Sequence, residues 1–279
     1  MKIGKYTKLK SNKYSVVIDD ITVKLYDDVI VKYELLRLKE IDEKLFKEIT
    51  EYNDRLEAYY KALKYITKKL RTEKEIYKYL DKDYNKDIIL ETIDKLKRMG
   101  YLNKDLYLKS YLSDQIHMTL NGPNKIKKDL VSLGYEEDEF KEVVDNIDGD
   151  VWFSKIEKIV NKKIKSNRNL GSNKLKEKIV YDLSNLGFYK WMIEDVIHRT
   201  EFGSNINILE KEYNKLYTKL SRKFDDSSID YQIRMKLLQK GFYSSEIDEF
   251  IQIKRTLNEF FYYYYFVAVS VSDLLSCSV

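Results

Sequence analysis

The chain of 279 residues holds one proline, one cysteine, two histidines and nine glycines. Each scarcity excludes something. With Cys277 as its single cysteine, the chain can form neither an internal disulfide nor a cysteine-based zinc site, which suits a reducing cytoplasm. His117 and His198 stand alone, outside any His-Glu-x2-His spacing, so each reads as a packed or half-exposed helical side chain rather than a metal ligand. No Gly-x4-Gly-Lys-Ser/Thr loop is present to cradle a phosphate. The N-terminus lacks an apolar signal core, so secretion is not expected and the cytoplasm is. The carboxylates are numerous but show no pairing in sequence. No nucleophile, base or metal constellation emerges, no cofactor is implied, and the chain reads as a non-enzyme. A hydrolase hidden in the chain would have to show itself by turnover.

What is present is helical. The composition is 43% hydrophobic and 35% charged, and the rarity of breakers favours long helices. One phrase returns at a nearly constant interval. Ile126-x3-Leu130-x3-Gly134-Tyr135 is followed by Ile179-x3-Leu183-x3-Gly187-Phe188 and by Ile233-x3-Leu237-x3-Gly241-Phe242, with glycines 53 and then 54 residues apart. A looser copy without the glycine, Ile76-x3-Leu80-x3-Tyr84, stands 51 residues ahead of Tyr135. Residues four apart share a helical face, and glycine four residues later suits a left-handed C-terminal cap onto which the next aromatic folds back. Fixed-period self-similarity predicts a tandem array, which favours an extended binding surface over a catalytic pocket.

The expected order is as follows. Residues 1–55 form a small β-meander plus helix domain, from the β-prone runs Ile3–Leu9 and Tyr14–Tyr26. Residues 56–120 hold a lead-in helix and a first three-helix unit, opened by a Thr72/Glu75 capping box. The break Asn121-Gly122-Pro123-Asn124 begins a second unit over 121–169, and Leu170-Gly171-Ser172-Asn173 begins a third over 170–224. A partial fourth unit covers 225–257. The apolar tail 258–279, with its Phe260–Val269 run, is too short for a confident membrane helix. It reads as a last packed helix, an oligomer contact or a non-native extension.

The net charge of +5 conceals blocks. Residues 61–135 carry 17 basic against 10 acidic side chains and residues 151–223 carry 16 against 8, while 136–150 carry 1 against 8. Two basic blocks around an acidic one fit a polyanion or a partner of mixed charge, and equally a lysine-rich solvated surface. The run Glu136-Glu137-Asp138-Glu139 needs only a helix N-terminus to explain it.

Several of these phrases together resemble the RecX family, regulators of the RecA recombinase. Leu70-Arg71-Thr72-Glu73-Lys74-Glu75-Ile76-x3-Leu80 is similar to its Arg-Ser/Thr-x2-Glu-Leu opening. Leu96-x3-Gly100-Tyr101-Leu102-Asn103 resembles Leu-x3-Gly-Tyr-Leu-Asp, and Tyr107-Leu108-x2-Tyr111 falls where the family has Phe-Ala-x2-aromatic. Asn121-Gly122-Pro123-x2-Ile126-x3-Leu130-x3-Gly134 resembles Lys-Gly-Pro-x2-Ile-x3-Leu-x3-Gly. The β-meander is similar to the extra domain of longer Gram-positive members. Asn103, Asn121 and Asp83 depart from the usual Asp, Lys and Gly.

The resemblance implies a mainly α fold of tandem three-helix repeats in an elongated, curved array behind a small β-containing domain. It implies a monomeric, non-membrane regulator, usually an inhibitor. Such a protein binds RecA and its nucleoprotein filament and modulates ATP hydrolysis and strand exchange in homologous recombination, DNA repair and the SOS response. Direct binding to single- or double-stranded DNA, with no obligate protein partner, is the alternative. Candidate contacts are Lys68, Lys69, Arg71 and Lys74; Lys125, Lys127 and Lys128; Lys162, Lys163, Lys165 and Arg168; and Lys174, Lys176 and Lys178. The many tyrosines permit base stacking, but most fall on apolar stripes, which makes core packing their default.

Overall fold

The computed structural model describes residues 1–10, 12–203, 206–224, 226–257 and 260. The expected tail at 258–279 lies outside them apart from residue 260. Three strands, β1 (Ile3–Lys8), β2 (Lys13–Ile18) and β3 (Ile21–Tyr26), form an antiparallel sheet in the order β1-β2-β3. The β2–β3 turn uses Asp19 at φ 47°, a conformation that Asp tolerates better than most residues. Val16, Ile18 and Leu25 pack with Val29 and Ile30 of the short helix α1 (Asp27–Lys32), as well as Leu35, Ile41, Ile49 and Leu56.

Helix α2 (Glu43–Ile66) runs unbroken through the expected boundary at residue 55. It joins two cores. Ile49 and Leu56 face the sheet, whereas Tyr59, Ala62 and Ile66 pack on α3 (Glu73–Leu80) and α4 (Lys86–Arg98). At the sheet end, the buried Asn53 Oδ1 accepts from the Tyr26 backbone N–H at 3.1 Å and so ties β3 to the helix.

The repeat phrase has the structure its residues dictate. Helices α6 (Pro123–Ser132), α9 (Ser172–Asn185) and α12 (Asp226–Gln239) end at Gly134, Gly187 and Gly241, whose φ values are +97°, +83° and +85°. At each end the N–H of the following aromatic donates to the carbonyl of the phrase's leucine, as Phe188 does to Leu183 at 3.2 Å. The glycine N–H donates one carbonyl further along, completing the double-bonded left-handed cap. Tyr135, Phe188 and Phe242 are buried behind these caps.

The remaining helices are α5 (Lys104–Met118), α7 (Glu137–Asp145), α8 (Gly149–Ser166), α10 (Lys190–Arg199), α11 (Ile206–Leu220) and one over residues 244–257. No helix among the described residues is long and apolar enough to cross a membrane.

Packing runs one helix out of phase with the sequence grouping. Helix α2 covers α3 and α4, α8 covers α9 and α10, and α11 covers α12. Between α5 and its successors, the Tyr135 hydroxyl donates to the Lys104 carbonyl at 2.8 Å, and Lys104 pairs with Glu139 at 2.6 Å. The third helix of each unit thus serves as the lead-in helix of the next. The chain accordingly divides into two compact units, Met1–Met118 with Lys127–Val144, and Thr119–Ile126 with the chain from Asp145 onward.

Helix α3 carries its own cap. The Thr72 hydroxyl accepts from the Glu75 N–H at 3.2 Å, and the Glu75 carboxylate accepts from the Thr72 N–H at 2.9 Å. Thr72→Ala is expected to cost about 1 kcal/mol in urea unfolding, the usual worth of an N-cap. Thr72→Ser is expected to keep most of it.

Candidate partner-binding surface

The candidate cations divide into those tied into the fold and those presented to solvent. Arg71 is tied: its guanidinium lies 3.9 Å over the Tyr65 ring and its Nη1 sits 2.9 Å from Glu75 Oε1. Tyr65 stacks in turn on Tyr79 at 4.2 Å. The Lys74 stem lies against Gly134, and the Lys125 and Lys174 backbones lie against Gly187 and Gly241. Lys174 Nζ also reaches the Gln239 carbonyl at 3.4 Å. Lys163 pairs with Asp182 of α9, and Lys176 sits 4.9 Å over the Phe202 ring. Lys127 is half-buried. Lys68, Lys69, Lys128, Lys162, Lys165, Arg168 and Lys178 are exposed, as are the side chains of Lys74 and Lys174 despite their contacts with the glycines.

In the second compact unit the structure brings two clusters together. The Lys163–Asp182 pair sets the basic C-terminal end of α8 beside α9. Lys162 and Lys165 are exposed on α8, while Lys174 and Lys178, four residues apart, share an exposed face of α9. Tyr181 continues that face and is 67% exposed. The cluster at 68–74 belongs to the first compact unit, and residues 125–128 divide between the two.

Two exposed aromatics escape a reading of the sequence. Tyr181 sits between the buried Ile179 and Leu183, two residues from each, and therefore faces away from the core. That offset is legible in the repeat phrase itself. Trp191 is 58% exposed and meets Phe153 of α8 edge-on, with ring centres 5.8 Å apart. The Arg199 guanidinium lies 5.4 Å from the centre of the same Phe153 ring.

The electrostatics are those of packing and pairing. Burial pushes the Tyr135 and Tyr111 phenols up. Lys104 holds the Glu139 carboxyl below its ordinary value, and Arg234 does the same to Asp248, 2.7 Å away. Burial also lowers Lys155. Tyr135 and Glu139 meet at Lys104, with Tyr111 further along α5, whereas Lys155 and Asp248 belong to the second compact unit. Among the described residues no three His, Cys, Asp or Glu side chains gather as a metal ion would require.

The chain resembles known proteins both in sequence and in fold. A family model described as "RecX, first three-helix domain" matches residues 58–96, which covers the C-terminal part of α2 together with α3 and most of α4. That is the grouping seen in the packing. The chain is 30% identical over 267 residues to "Regulatory protein RecX" of Streptococcus agalactiae serotype V, spanning 93% of this chain and all of the relative. It is 27% identical over 251 residues to the protein of that name from Bacillus velezensis, covering 88% of this chain and 95% of the relative. A solved structure titled "Crystal structure of regulatory protein RecX" superposes with a TM-score of 0.56 at 24% identity, covering 69% of this chain and 97% of that one. At that identity the likeness concerns the fold.

Proposed function

This chain belongs to the RecX family of regulatory proteins, and from that premise we propose that it is a cytoplasmic regulator of the RecA recombinase that acts by inhibition. In this reading it binds the RecA–DNA filament and lowers DNA-dependent ATP hydrolysis and strand exchange. The names of its relatives describe a regulator and not a catalyst. The observation that carries the reading is the basic surface of the second compact unit. There Lys162 and Lys165 of α8 lie on the helix beside α9, which presents Lys174 and Lys178. Repeated helices bearing exposed cations supply many weak contacts to an extended acidic partner, each additive and none catalytic.

One feature favours the second reading, direct nucleic-acid binding without an obligate protein partner. Tyr181 beside Lys178 pairs an exposed ring with a cation, the combination that stacks a base and meets its phosphate.

Titrating RecA's ATPase on single-stranded DNA with this protein tests both, alongside anisotropy on bare DNA over a salt series. Inhibition at amounts well below RecA, with weak binding to bare DNA, is the expected result. Lys178→Glu combined with Lys162→Glu is expected to raise the half-inhibiting amount several-fold. Tight binding to bare DNA that falls steeply with salt, with no effect on RecA, would replace the first reading by the second.

A further inference from the structure

The N-terminal turn of a helix leaves backbone N–H groups without partners, and its C-terminal turn leaves carbonyls without partners. Helix α3 resolves the first problem with its own side chains, Thr72 and Glu75. Helix α9 begins at Gly171, which has no side chain to cap it, and α6 begins behind Gly122. Both use a neighbouring helix instead. The Gly122 and Asn124 N–H groups donate to the Leu186 and Gly187 carbonyls at 2.7 and 2.9 Å. The Gly171 and Asn173 N–H groups donate to the Lys240 and Gly241 carbonyls at 2.9 and 3.0 Å. The residue skipped in each pair is Pro123 or Ser172, so the proline's missing donor costs nothing there.

The helix start of one repeat thus satisfies the helix end of the next, and the two macrodipoles meet positive end to negative end. The approach leaves no room for a side chain. A Cβ on Gly122 would lie 2.6 Å from the Phe188 nitrogen and 2.7 Å from the Gly187 carbonyl carbon, and one on Gly171 would sit closer still to Phe242 and Gly241. From the other side, a Cβ on Gly187 or Gly241 would strike the backbone of Lys125 or Lys174. In the first compact unit the matching segment is Arg71-Thr72-Glu73-Lys74. There the atoms nearest a Cβ on Gly134 would belong to the Lys74 side chain, the first at 3.2 Å, and not to backbone. The glycine before the helix is thus absent where the helix has its own capping box, and present where the cap is borrowed.

We propose that Gly122–Gly187 and Gly171–Gly241 are backbone clamps that fasten each of these helix starts to the glycine-capped end of a later helix, and that Gly122 and Gly171 are positioning residues for regulation although they present no side chain to a partner. The functional half rests on the RecA reading above; the structural half does not.

Amide hydrogen exchange on the unaltered full-length chain tests the clamps directly. The amides of Gly122, Asn124, Gly171 and Asn173 are expected to exchange within ~10-fold of helix-interior amides, unlike ordinary first-turn amides. Rapid exchange at these four positions would overturn the clamps. Gly171→Ala is expected to speed exchange at position 173 by at least ~10-fold and to raise the half-inhibiting amount in the RecA assay with helix content retained. Gly203→Ala, where a Cβ meets nothing within 4 Å, is expected to change neither. Faster exchange with an unchanged half-inhibiting amount would overturn the positioning role. If the unaltered protein leaves RecA unaffected, the RecA reading fails while the exchange result still decides the clamps.

Discussion

Lys240→Met is expected to lower stability by about 3 kcal/mol, the lower end of the cost of breaking a buried ion pair. Glu212 of α11 is 2% exposed and pairs with Lys240, which sits at the end of α12 beside the Gly171 clamp. Removing the ammonium leaves a carboxylate desolvated without its counter-charge. The lysine side chain is itself 31% exposed, so water reaches part of the site and the lower end of the range applies. The double variant Lys240→Met with Glu212→Leu is expected to recover most of the loss, because an apolar pair of similar volume carries no desolvation cost. Urea unfolding of the two variants separates the contributions. Equal stability of the single variant and the parent would show that Glu212 is not starved of solvent.

Phe188→Ala is expected to cost about 3–5 kcal/mol, as deletion of a fully packed aromatic side chain does. Its ring is 3% exposed behind the left-handed cap of α9. Tyr101 holds the same place after Gly100, with its N–H on the Leu96 carbonyl at 3.0 Å, yet its ring is 44% exposed. Tyr101→Ala is therefore expected to cost less than about 0.5 kcal/mol, as surface substitutions usually do. Thermal melts of the two variants would separate the cap from the packing: the hydrogen bonds are backbone bonds and survive both changes. Comparable losses would mean that the aromatic serves the cap rather than the core.

The cap, the buried aromatic and the repeat period are all legible in the amino-acid sequence, because Ile-x3-Leu-x3-Gly encodes a helix face and its ending in local residues. The three-stranded meander is legible for the same reason, since β-branched runs broken at Asn12 and Asp19 are local signals. Two features are not. The glycines at 122 and 171 read only as breaks, because the backbone that crowds them lies more than 60 residues away in sequence. The phase of the packing is hidden because the third helices vary most from unit to unit, so the repeat phrase does not reveal which pair of helices each one covers. For the partner-binding surface, local composition marks the cations as basic clusters. It does not separate Arg71 and Lys163, held by Glu75 and Asp182, from Lys162 and Lys178, which are exposed.

The out-of-phase packing has a consequence for synthesis. As the chain leaves the ribosome, α8 emerges while α9 and α10, the helices it packs against, are still to be made. Each nascent third helix is thus an adhesive end that waits for its successor. A messenger cut short after a third helix would yield a sticky product, whereas one cut just before it would not.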